Sequence, residues 1–93
     1  MTNKEEVFRT VIEQCGKPHQ LIVCMEELSE LTKEIAKNLR GYDNTAAISE
    51  EIADVEITLE QLKLIFSNRS EVDSIKAKKL MRLTDRMKSG VSL

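Results

Sequence analysis

The stretch TAAISEEIADVEITLEQLKLIF, residues 45–66, decides how this chain folds. Ile48, Ile52, Val55, Leu59, Leu62 and Phe66 recur in it at alternating steps of four and three. Because about 3.6 residues complete a helical turn, that spacing returns every apolar side chain to one face and predicts a core-facing seam. A half-buried strand would alternate every second residue, and this stretch does not. The same helix carries Glu50, Glu51, Asp54, Glu56 and Glu60 before its first base, Lys63.

Working outward toward the N-terminus, RGYDN (40–44) reads as a turn. Gly41 is the stop of one helix, and Asp43, Asn44 or Thr45 is the cap of the next. The helix before it opens near Pro18, which suits a first turn, and runs to about Leu39. Its stripe is Leu21, Cys24, Met25, Leu28, Leu31, Ile35 and Leu39. A first helix spans Thr2 or Asn3 to Cys15, with Val7, Phe8, Val11, Ile12 and Cys15 on its apolar face and Gly16 as its end. Toward the C-terminus, SNRS (67–70) is a loop, and Ser70 with Asp73 resembles a capping box. The last helix reaches about Lys88, with Val72, Ile75, Lys79 (by its stem), Leu80, Leu83 and Met87 inward. The tail SGVSL is expected to fray. The fold class is all-α: one domain over 1–93, a compact helical bundle of about four helices.

Composition narrows the function. Apolar residues make up 41% of the chain but aromatics only 3%, with no Trp, so the core is aliphatic. So short a chain is expected to complete its core by self-association. A net charge of −2 argues against nucleic-acid binding by the molecule as a whole. No apolar run suits a membrane span, and the polar start MTNKEEVFRT lacks the apolar core of a signal peptide. Cys15 and Cys24 fit no common zinc spacing and read as reduced thiols of a cytoplasmic protein. His19 is the lone histidine, which excludes any site built on several imidazoles.

The acids carry the chemistry. MEELSE (25–30) places Glu26, Glu27 and Glu30 on one helix with little basic relief, and like charges three or four residues apart cost a few tenths of a kcal/mol each. SEEIAD (49–54) repeats the arrangement. Glu27 with Glu30, and Glu51 with Asp54, are each three residues apart, about 60° around a helix, so each pair addresses one point. The short turn makes the helices antiparallel neighbours, which puts the two pairs at similar heights. Four converging carboxylates repel unless a divalent cation joins them. An all-carboxylate set suits Mg²⁺, with Mn²⁺ as a substitute. Zinc wants Cys or His, and di-iron bundles use Glu-x-x-His, which neither helix has. Either run alone is an ordinary solvated helix face; the case lies in the two together.

These residues also carry a likeness. Glu26-Glu27-x-x-Glu30 followed by Glu51-x-x-Asp54 resembles the signature of the MazG-like all-α nucleoside triphosphate pyrophosphohydrolases, and the similarity runs over about 18–88. The resemblance implies a bundle that pairs into homodimers or homotetramers. It implies Mg²⁺-dependent cleavage of a (d)NTP to the monophosphate and pyrophosphate, with Glu27, Glu30, Glu51 and Asp54 as metal ligands. Glu26 and Glu50 match more peripheral acids. Glu30, or equally Glu27, is the candidate general base for the attacking water. The basic last helix offers Lys79, Arg82 and Arg86 to the phosphates, with Lys33 and Lys37 as further cations, though such a stretch is most often a solvated face. Gln20, two turns before Glu27, is a candidate nucleotide contact. Two other readings stand beside this one: a non-catalytic dimeric adaptor that keeps the scaffold, and a helix-turn-helix DNA binder, which the net charge and long helices disfavour.

Overall fold

The computed structural model describes residues 3–90. Four helices make up almost all of it: α1 (Lys4–Cys15), α2 (Lys17–Leu39), α3 (Thr45–Phe66) and α4 (Arg69–Ser89), with no strand among the described residues. The all-helical, bundle-like expectation holds. Of the tail expected to fray, Ser89 closes α4 and Gly90 follows it, while residues 91–93 lie outside the described residues.

Local chemistry sets the helix ends. Asn3 opens α1, its Oδ1 accepting the Glu6 backbone N–H at 2.9 Å. Gly16 alone separates α1 from α2 at φ 88°, a left-handed backbone that a β-carbon would strain, and Pro18 stands in the first turn of α2, where no intrahelical N–H partner is needed. Asn44 sits at the N-cap of α3 but makes no side-chain cap bond there. Its Nδ2 instead donates to the Glu34 backbone oxygen at 2.8 Å and to Glu34 Oε1 at 3.1 Å, clasping the turn onto α2. The junction after α3 is tighter than the sequence suggests: Ser67, left-handed at φ 51°, and Asn68 are its whole length. Ser70 therefore lies inside the first turn of α4, and the capping box expected there does not form.

α2 and α3 pack antiparallel along a line of polar side chains. Gln20 Nε2 donates to Gln61 Oε1 at 2.9 Å, the Cys24 thiol points at the Thr58 backbone oxygen at 3.8 Å, and Glu27 meets Asp54. As the α2 partner climbs by four and then three residues, the α3 partner falls by three and then four, the spacing of a left-handed helix pair. Gln20, Thr58 and Gln61 are buried, while among the described residues the buried apolar ones are only Phe8, Cys24 and Val55. Phe8 brings α1 against α3 beside Ile57 and Leu64.

The apolar seams expected from periodicity are buried only in part; on α2, Cys24 is buried and Leu21 and Leu31 are half-buried. Of the α3 set, Val55 is buried and Ile48 and Leu62 are half-buried, but Ile52, Leu59 and Phe66 stay exposed. Of the α2 set, Met25, Leu28, Ile35 and Leu39 stay exposed. The offset is regular. Met25 follows Cys24, Leu28 follows Glu27, Ile35 follows Glu34, Ile52 follows Glu51 and Leu59 follows Thr58. One residue is about 100° of helix rotation. In antiparallel helices the same sense of rotation leads to the same side of the pair, so these residues form one two-helix apolar face. α4 turns away from it. Val72 is half-buried, no residue of α4 is buried, and Ile75, Leu80, Leu83 and Met87, expected inward, are exposed. The radius of gyration is 16.6 Å, against about 12 Å from the scaling for a compact chain of this length; the projecting α4 accounts for the difference.

Candidate metal centre

Glu27 comes from the middle of α2, and Glu51 and Asp54 from the second and third turns of α3. Each offers a carboxylate oxygen, and the three oxygens lie within 4.8 Å of one another. The pairing of α2 with α3 makes this meeting, since Glu27 falls on the contact line between Cys24 and Leu31. Glu27 and Glu51 are half-buried and Asp54 is exposed. One oxygen of Glu51, Oε2, is buried with no hydrogen-bond partner. A buried carboxylate oxygen left without a donor is costly, so the cluster is short of positive charge or of protons.

The titration behaviour has the same cause. Burial pushes the Glu27 carboxyl up, and the charges of Asp54 and Glu51, the contact with Asp54 and the charge of Glu30 push it further. Burial likewise raises Glu51, helped by Asp54, Glu30, Glu34 and Glu50. No cation is among the main causes of either shift. Elsewhere the acids are neutralised: Asn44, then Lys37, hold Glu34 low, and Arg69, at 2.7 Å, then Lys63 hold Glu60 low. The donor set therefore fits a hard divalent cation, with three carboxylates, a buried oxygen lacking a partner and no competing base. Cys24, one turn before Glu27, does not join as a soft ligand, because burial raises its thiol and the Sγ–H points at Thr58.

The other expected site residues divide. Glu30 is exposed and stands at the rim, close enough to raise both half-buried acids but outside the trio, so three of the four expected ligands converge. Glu26 and Glu50 are exposed, as their peripheral reading requires. Lys37 is paired with Glu34 at 3.4 Å. Lys33 is exposed. Lys79, Arg82 and Arg86 project from α4 into solvent and make no ion pair among the described residues. Gln20 is 4% exposed and bonded to Gln61, so it lies in the contact between α2 and α3 and not on an open face. Gln61 and Thr58 are structural partners that periodicity passed over, because polar residues at helical spacing read as surface. Their signal was present, since Thr58 and Gln61 continue the four- and three-residue steps from Asp54.

A groove of about 480 Å³ lies between α1, α3 and α4, with Phe8, Ile57, Glu60 and Lys76 among its walls. Its central acid, Glu60, is already paired with Lys63 and Arg69, so it lacks the unmet charge that marks the acid trio. No described helix is long and apolar enough to cross a membrane. Fold and site together define an all-helical protein with a three-carboxylate cluster between two antiparallel helices. No family model matches the chain, and no curated protein or solved structure matches it either.

Proposed function

We propose that the protein is a Mg²⁺-dependent nucleoside triphosphate pyrophosphohydrolase of the MazG-like kind, acting in the cytoplasm on a (d)NTP to give the monophosphate and pyrophosphate. The observation that carries this reading is the trio itself: carboxylates from two helices, one with a partnerless buried oxygen, and no base to neutralise them. Glu27, Glu51 and Asp54 hold the cation, Mg²⁺ or in its place Mn²⁺, with Glu30 at the rim. When bound, the ion supplies charge neutralisation for phosphate oxygens and lowers the pKa of a coordinated water. Glu30, exposed beside the trio, accepts the proton of the attacking water as the phosphoanhydride bond breaks. Glu27 is the second candidate for that role. Lys79, Arg82 and Arg86, with Lys37, provide cations for the triphosphate.

The reading includes self-association into a homodimer or homotetramer. Its support is the two-helix face of Met25, Leu28, Ile35, Ile52 and Leu59, which the single chain leaves exposed, as it does the apolar residues of α4. The same exposure favours a second reading, a non-catalytic helical adaptor that uses these faces for a partner protein. One experiment separates them: purified protein with Mg²⁺ and a panel of canonical and modified (d)NTPs, assayed for monophosphate and pyrophosphate. Turnover that stops on chelation supports the enzyme. No turnover of any nucleotide supports the adaptor.

A further inference from the structure

Apolar contact explains only part of the line on which α2 and α3 meet, through Cys24, Leu31 and Val55. Yet Met25, Leu28, Ile35, Ile52 and Leu59, each one position past that line, are left exposed. Apolar burial is non-directional, and by itself it favours turning Met25, Leu28 and Ile35 toward Ile52 and Leu59. That rotation would carry Glu27 and Glu51 out of the contact. Sliding by one heptad is the other alternative for helices paired at this spacing, and it would set Gln20 against Asp54 and scatter the acids.

We propose that the buried Gln20–Gln61 pair is the positioning device that fixes both the rotation and the register of α2 on α3, and thereby assembles the acid trio. Gln20 lies seven residues before Glu27 and Gln61 seven residues after Asp54, so the amide pair and the acid contact occupy equivalent places one heptad apart. The amides are 4% and 8% exposed, and their bond is 2.9 Å. A hydrogen bond is directional where apolar contact is not. Rotating or sliding either helix would strand two buried amides, and a single buried polar pair is a well-attested way of setting register between helices. Cys24 with Thr58 occupies the step between the amides and the acids and follows the same alignment. The role of the pair at the site rests on the metal-binding reading above; its role in register does not.

The test replaces both amides with a side chain of similar length and helix propensity, Gln20→Met with Gln61→Met, and compares it with Gln61→Glu, which keeps an acceptor for Gln20. Two quantities are read below the melting range: Mn²⁺ affinity, from the electron paramagnetic resonance signal of free Mn²⁺, and the nuclear Overhauser contact between Cys24 and Thr58. The double Met protein is expected to stay helical, lose the Cys24–Thr58 contact and bind Mn²⁺ about 10–100-fold more weakly. Gln61→Glu is expected to keep both. A double Met protein that keeps the contact overturns the proposal, whether or not its affinity changes. Where the double variant does not fold, the single Gln61→Met protein is read by the same two criteria. If the wild-type chain itself fails to bind Mn²⁺, the metal reading falls and the contact alone decides the register.

Discussion

At the scale of single residues, the acid trio makes opposite demands with and without a cation. Glu27→Gln removes one of three converging charges. In chelator it is expected to melt higher than wild type, by about 0.5 kcal/mol for the relieved like-charge contacts, while losing Mg²⁺-dependent activity. Asp54→Asn should behave alike; unchanged activity in either variant would remove that residue from the site. The pH dependence follows from the shifts. Glu27 and Glu51 titrate above their ordinary value, so the stability linked to their protons is complete below the unfolded carboxylate range near pH 4.3 and is lost as pH rises through the raised folded values. The advantage of Glu27→Gln in chelator is therefore expected to be largest near pH 7 and to shrink toward pH 4, as measured by thermal melts. Glu34 and Glu60 act in the opposite sense, losing stability as pH falls through their lowered values, so the metal-free wild type is most stable between the two windows.

At the scale of elements, α2 and α3 carry the acid trio, and the turn between them is held by the side chains of Asn44 and Asn38, the latter also donating to the Tyr42 backbone oxygen at 3.4 Å. Asn44 binds Glu34 twice and accepts from Asn38 at 3.2 Å. Asn44→Ala is expected to cost about 1–2 kcal/mol in denaturant unfolding, as part-buried hydrogen bonds are lost, and to weaken Mg²⁺ binding because the acids sit within three turns of that clasp. α4 is the contrasting element. It packs through its first turns alone, so amide exchange along Leu80–Lys88 should be much faster than along α2 and α3 in a monomeric sample. Protection of that segment equal to α2 would show that a second molecule covers it.

At the scale of the whole molecule, the proposed self-association rests on exposed aliphatic side chains: Met25 is 69% exposed and Leu39 83%. Sedimentation is expected to show a dimer or tetramer. Leu28→Glu with Ile52→Lys should drive it toward monomer, and an unchanged mass would place the interface elsewhere. Cation binding should raise the melting temperature progressively, with about 2.7 kcal/mol of stabilisation at a hundredfold excess over Kd. A flat melting temperature across Mg²⁺ concentrations would argue against a preformed site.

The sequence by itself determined the four helices, their order and most of their ends. Those depend on local chemistry: 3.6-residue periodicity, the cap of Asn3, the left-handed glycine at 16 and the proline after it. It also determined that Glu27, Glu30, Glu51 and Asp54 can share a height, since a short turn between long helices sets that. Only the tertiary structure decided which face of each helix is buried. The apolar stripes coincide with the contact line only in part, at residues such as Cys24 and Val55, because the buried Gln20–Gln61 pair makes a directional contact that hydrophobicity does not encode. That choice of rotation buries an oxygen of Glu51, leaves Glu30 at the rim and takes Gln20 inside. Periodicity ranks the faces of one helix by hydrophobicity; which face meets a neighbour depends on the pairing of two surfaces.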